Sequence, residues 1–155
     1  MLRQASVSDL ITGRASREKG YVVIAMRRYP RFINRALRDE YLPSLAADRK
    51  LFEDWLSAKR RYQDHEGAYK RAKFESRYEL TDEGMEHLAR LSALAEKQDV
   101  YLVCQCHEGH RCHRELLLIL AKKLFRAKTE KPKNEYPVFE KRIPAIRKAY
   151  KSRAA

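Results

Sequence analysis

One stretch constrains this chain more than any other: residues 101–120, YLVCQCHEGHRCHRELLLIL. All three cysteines (Cys104, Cys106, Cys112) and three of the five histidines (His107, His110, His113) fall between positions 104 and 113. Ahead of them Asp99 opens a β-branched and aromatic run over 99–104, a buried strand by composition. Behind them the chain turns apolar and helical over 112–126. Reactive side chains are thus concentrated at a strand-to-helix turn, where an α/β sheet places its site.

A second run, Tyr21 to Met26 after Gly20, is nearly continuous in apolar residues and suits a strand buried on both faces of a parallel sheet. It ends in Arg27-Arg28-Tyr29-Pro30-Arg31. If the two strands run parallel, these arginines reach the same edge as the Cys/His turn. Leu2 to Val7 reads as a further short strand, followed by a brief helix at Leu10–Ile11, capped by Ser8–Asp9 and closed by Gly13. Phe32, Ile33, Ala36 and Leu37 make a short amphipathic patch. Pro43–Ser44 marks a helix start, with Leu45, Phe52, Trp55 and Leu56 at helical spacing. Further helices are expected over His65–Tyr78 and over Asp82–Lys97, the latter capped by Thr81 and striped by Met85, Leu88, Leu91 and Ala95. The expectation is α/β: a single compact Rossmann-like domain, with a small, mostly parallel sheet flanked by helices.

Residues 1–126 account for that domain. From 127 to 155 the composition shifts to three prolines and nine Lys/Arg against three Glu. This tail reads as an extended basic arm with a short helix near Ala145–Tyr150, and Tyr136, Val138, Phe139 and Ile143 are available to pin part of it. The whole chain carries 34 Lys+Arg against 21 Asp+Glu, a formal +13, which favours a phosphate-bearing small molecule or nucleic acid as partner. No apolar leader precedes the first strand, and Leu116–Ala121 is too short to span a bilayer, so a cytoplasmic protein with no membrane partner is expected. Crowded, odd-numbered cysteines argue against a disulfide scaffold. The sequence names no cofactor and gives no oligomeric state.

The turn supports three chemistries. In the first, Gly109 permits the turn and the N-terminus of the following helix, with Arg111, Arg114, Arg27, Arg28 and Arg31, forms an anion pocket for a phosphate or nucleotide. In the second, Cys112 is a reactive thiol whose pKa is lowered by the helix end, by Arg111 and by His113, with Cys104 or Cys106 as redox partner and His107 or His110 as base. The spacing matches neither Cys-x-x-Cys nor Cys-x5-Arg, since His110 and Cys112 stand where that arginine belongs. In the third, Cys106, His107, His110 and Cys112 bind zinc, although no second pair of ligands lies at the usual distance along the chain. Cys104 also fits the plainer role of a small buried side chain.

The strand-borne Cys104, a seven-residue gap, Cys112-His113-Arg114 and the apolar helix together resemble the domain-of-unknown-function family 488, DUF488. Arg27 to Arg31, Leu42-Pro43-Ser44 and the aromatic–Arg–Tyr–Glu–Leu stretch of Phe74 to Leu80 also resemble that family's segments. The likeness covers about residues 1–126, and Cys106 departs from its pattern. It implies a Rossmann-like domain in an intracellular setting, with Cys104, Cys112, His113 and Arg114 as the residues of its site, and it brings no reaction with it. The leading expectation is a phosphate- or nucleotide-binding domain with Cys112, His113 and Cys104 as catalytic candidates. The alternatives are a non-catalytic nucleic-acid binder that uses the basic arm, and a zinc-stabilised module.

Overall fold

Four strands, β1 (Leu2–Ser6), β2 (Tyr21–Ile24), β3 (Glu40–Tyr41) and β4 (Val100–Cys104), form one sheet in the order β1-β4-β2-β3. Every pairing is parallel. The computed structural model describes residues 1–154. Val22, Val23, Ile24, Val100, Leu102 and Val103 are wholly buried, as strands covered on both faces require. Side chains alternate between two cores: Val100, Leu102, Val23 and Ala25 face the larger, Tyr101, Val103, Val22 and Ile24 the smaller. The same period of two turns Cys104 toward the larger core. Register aligns Ile24 with Val103 and Ser6 with Cys104, so three strands end together at one edge.

Helix α1 (Val7–Thr12) covers the smaller face with Ala15 and Ile33. Its cap is Ser6 rather than Ser8–Asp9, because β1 runs straight into it. The Asp9 N–H donates to Ser6 Oγ (3.0 Å), the Ser6 N–H donates to Asp9 Oδ2 (2.9 Å), and Gly13 closes the helix at φ 79. The patch near Phe32 is only a 3-10 turn over Arg35–Leu37, with Phe32 exposed and Ile33 buried. Pro43 starts another such turn (Pro43–Leu45), and the expected helix begins later, as α2 (Arg49–Tyr62), where Asp48 accepts from the Leu51 N–H.

The helix expected over 65–78 is broken into α3 (His65–Arg71) and α4 (Phe74–Arg77) at Lys73, φ 54. In one continuous helix, positions 69 and 74 point about 140° apart. The break lets Tyr69 stack on Phe74 at 4.9 Å with both rings buried. Helix α5 (Asp82–Leu94) is capped by Thr81 as expected, and α6 (His113–Phe125) follows the Cys/His turn.

The tail is not an extended arm. Thr129 pairs with Leu2 beside β1, and α7 spans Pro137–Ala154. Tyr136, Phe139 and Ile143 are buried in the larger core, and Val138 is exposed. The tail is held by Glu115, a buried carboxylate in the first turn of α6. It accepts from the Lys133 N–H (2.5 Å), Asn134 Nδ2 (2.9 Å), the Tyr136 hydroxyl (2.7 Å) and Gln4 Nε2 (2.9 Å). Apolar periodicity cannot show such an anchor, because a glutamate at that position is an ordinary first-turn acid. No helix among the described residues is long and apolar enough to cross a membrane.

Burying three large side chains contributes about 1.5–3 kcal/mol each, against a net stability of about 5–15 kcal/mol for a domain. Ending the chain at Arg126 is therefore expected to abolish the cooperative thermal transition followed by circular dichroism. A truncated chain that still melts cooperatively near the full-length temperature would show that the tail is dispensable.

Candidate functional site

Where β2 and β4 end, the surface opens into a hollow of about 100 Å³. Its floor is Cys104, Cys106, Cys112 and His113; Met26, Arg27 and Arg28 come from the end of β2. Phe52 and Trp55 of α2, Tyr69 of α3 and Phe74 of α4 wall it with aromatic rings. Parallel pairing of β2 with β4 thus brings the arginine block and the Cys/His turn to one place.

The three thiols form a tight group. All three sulfurs lie within 4.8 Å of one another, and Cys104 and Cys106 are 3.9 Å apart. Cys112 is the N-cap of α6, and its backbone N–H goes to the Tyr136 oxygen at 3.3 Å. Its sulfur stands 3.6 Å from His113 Nδ1. The His113 Nε2–H donates to the Ala25 carbonyl at 2.6 Å, which aims Nδ1 at the thiol. Burial works against ionising Cys112. Hydrogen bonds from the Cys104 and Cys106 thiols, with His113 and Arg114 nearby, outweigh it and hold Cys112 well below the usual thiol range. Cys106, bonded to Cys104 and Cys112 and half-buried, is pushed well above that range. Cys104 is drawn down by Cys106, but its bond to Cys112 and its burial raise it to about 12. Of the three sulfurs Cys112 is thus the one that ionises most readily, and a thiolate there serves as a nucleophile or as a metal ligand.

Arg114 does not face the hollow. It is 1% exposed, and its guanidinium donates to the Ala5 carbonyl and, at 2.9 Å, to the Cys106 carbonyl. It thereby ties β1 to the Cys/His turn, and its Nε has no partner. On its outer side lies a separate hollow lined by Gln4, Ser6, Asp9, Arg14, Tyr101 and Glu108. The buried cation thus lies against the thiol group, where burial lowers its pKa but the Cys112, Cys104 and Cys106 sulfurs raise it overall.

The other expected residues divide. Arg27 reaches the hollow while its Nε donates to the Ala47 carbonyl (2.9 Å), and Arg28 lies over the Phe52 ring at 5.3 Å. Arg111 also lines the hollow, but its charge is matched by Glu66 at 3.1 Å, and it donates to the Glu135 carbonyl at 2.5 Å. Arg31 is exposed and does not line the hollow. Gly109, φ 88, makes the turn, and its carbonyl accepts from Asn134 Nδ2 (3.0 Å). That turn carries His107 and His110 away from the sulfurs. His110 stacks on His65 (4.5 Å) and meets His107 edge-on (5.8 Å), and burial together with those two rings lowers its pKa. Of the zinc set expected from sequence, Cys106 and Cys112 are in the cluster; His107 and His110 are not, and Cys104 takes a place there.

A family model described as the active DUF488-N3 subclade matches residues 6–129. The chain belongs to the DUF488 family. Within this DUF488 chain the matched segment includes the arginine block, the aromatic wall and the whole Cys/His turn. No curated protein and no solved structure matches it.

Sequence reasoning missed Tyr69, whose role here depends on the break at Lys73. Its ring is 3% exposed, it lines the hollow, and its hydroxyl has no hydrogen-bond partner. No pattern in the sequence distinguishes it from the other tyrosines.

Removing the Arg114 fork takes a donor from the Ala5 and Cys106 carbonyls and leaves the thiol group without its cation. Arg114→Met is expected to cost about 3–5 kcal/mol of unfolding free energy, read by urea denaturation. Arg114→Lys is expected to recover less than half, because an ammonium cannot span both carbonyls. Equal stability of the lysine variant and wild type would refute this bridging role.

Proposed function

We propose that this DUF488 chain binds a phosphate-bearing ligand with a flat ring, a nucleotide, in the hollow above the thiol group. The observation that carries this reading is the Tyr69 hydroxyl, a buried donor without a partner inside an aromatic-walled hollow. An orphaned polar group costs about 1–3 kcal/mol, which a ligand acceptor recovers. The aromatic rings of Phe52, Trp55 and Phe74 offer stacking surface to a base. Size assigns the ends of the ligand. About 150 Å³ holds benzene, so a hollow of about 100 Å³ takes one ring edge after slight adjustment and leaves the phosphate at the mouth. Arg27 and Arg28 stand there without a carboxylate partner among the described residues, and a guanidinium suits phosphate.

The test is calorimetric titration with nucleoside monophosphates and inorganic phosphate. Wild type is expected to bind at least one nucleotide below millimolar Kd. Tyr69→Phe and Arg27→Ala should each weaken that binding about tenfold, or about 1.4 kcal/mol, with the thermal transition unchanged. No binding by wild type at millimolar ligand overturns the reading.

A second reading, in which the ring belongs to a nucleic acid, is favoured by the cations that continue from the mouth along α2. Arg28, Arg60 and Arg61 line a shallow open depression, and Lys59 lies over the Trp55 ring at 5.0 Å. Arg60→Ala with Arg61→Ala is expected to flatten the plot of log affinity for a single-stranded oligonucleotide against log salt by about two. An unchanged slope removes α2 from the interface.

A further inference from the structure

We propose that Cys104, Cys106, Cys112 and His113 Nδ1 bind a zinc ion at the floor of the hollow, as a Cys3His centre. This goes beyond the ligand-binding reading and does not depend on what occupies the space above.

The geometry can be checked edge by edge. With Zn–S near 2.3 Å and Zn–N near 2.0–2.1 Å, a tetrahedral shell has S···S edges of about 3.8 Å and S···N edges of about 3.5 Å. The Cys104–Cys106 edge is 3.9 Å. The Cys112–His113 Nδ1 edge is 3.6 Å. These two edges share no atom and lie opposite each other in the tetrahedron, so each is an independent match to it. The remaining S···S edges are at most 4.8 Å and need to close by at most about 1 Å, while His113 Nδ1 lies outside this group of three sulfurs and the imidazole has to move toward Cys104 and Cys106 to complete the shell. Cys106, the least buried of the three, sits on the turn and is free to close its own edge to Cys112.

Two further features point to a metal. A zinc-bound histidine ordinarily donates its other N–H to a carbonyl or carboxylate, which fixes the tautomer and aims the free nitrogen. His113 already does so through Nε2 to the Ala25 carbonyl. Charge is the second. Zn²⁺ with three thiolates and a neutral imidazole carries −1, and a buried charge needs a counter-ion. Arg114, 1% exposed and without a carboxylate partner among the described residues, supplies +1 beside it. The metal ties the end of β4, the turn and the first residue of α6 into one rigid floor. Soft thiolate ligands select zinc over magnesium or calcium.

Protein purified in reductant without metal-affinity resin is to be assayed for metal by mass spectrometry and for cobalt uptake after zinc removal. Expected are about one zinc per chain and, with Co²⁺, thiolate-to-cobalt charge transfer together with intense tetrahedral visible bands. Cys106→Ser, at the least buried sulfur, should keep the circular dichroism spectrum while losing metal and most of the charge-transfer intensity. If Cys106→Ser does not fold, the wild-type cobalt spectrum decides alone. A metal-free wild type that takes up neither Zn²⁺ nor Co²⁺ at micromolar concentration overturns the proposal. So does a cobalt spectrum without sulfur charge transfer. Arg27→Ala should leave metal content unchanged, which separates failure of the metal centre from failure of nucleotide binding.

Discussion

The position of β4 between β1 and β2 governs everything else in this molecule. A strand hydrogen-bonded on both sides in parallel register has no freedom to slide, since a one-residue slip would turn its buried side chains to the wrong core. Val100 and Leu102 must face one core, Tyr101 and Val103 the other. Cys104 is then obliged to point toward α2–α4. Pairing of Ile24 with Val103 also places the Ala25 carbonyl within reach of His113, so the sheet register sets the orientation of an imidazole on a different element.

Two adjacent buried charges at the start of α6 complete the arrangement. Neighbouring helix residues point about 100° apart, so Arg114 and Glu115 gather different parts of the chain. Arg114 binds carbonyls of β1 and of the Cys/His turn. Glu115 collects donors from β1 and from the segment that leads into α7. The tail reaches the site through the same contact, because Tyr136 bonds to Glu115 and receives the Cys112 N–H. A basic C-terminal segment that looks detachable in the sequence is therefore part of the wall behind the thiol group. The hollow is more apolar than the charge of the chain implies, with its cations confined to the mouth and to α2.

Much of this was legible from residues alone. Both inner strands, the helix after the Cys/His turn, the Thr81 cap and the meeting of the arginine block with the cysteines follow from apolar runs and cap chemistry. These are local signals, each read within a few residues. The α3–α4 break at Lys73 was not legible, because nothing local forces it and it is repaid by the packing of Tyr69 on Phe74. The course of the tail was hidden for a similar reason: its prolines and lysines argue for an extended arm, and only contact with Glu115 and the larger core overrides them.

The sequence by itself determined that Cys104 and Cys112 flank one turn of an α/β domain, and that Arg27 and Arg28 emerge at the same edge if the two strands are parallel, which their pairing is. It could not assign partners within the cluster. Tertiary structure decided that Cys104 joins Cys106 and Cys112, while His110 turns outward to stack on His65 and His107 meets His110 edge-on. It also turned Arg114 away from the hollow that Arg27 and Arg28 border, to the Ala5 and Cys106 carbonyls. The physical reason is the same in both cases. Residue spacing fixes which element carries a side chain, whereas its direction is set by burial and by carbonyls, rings and charges contributed from distant parts of the chain.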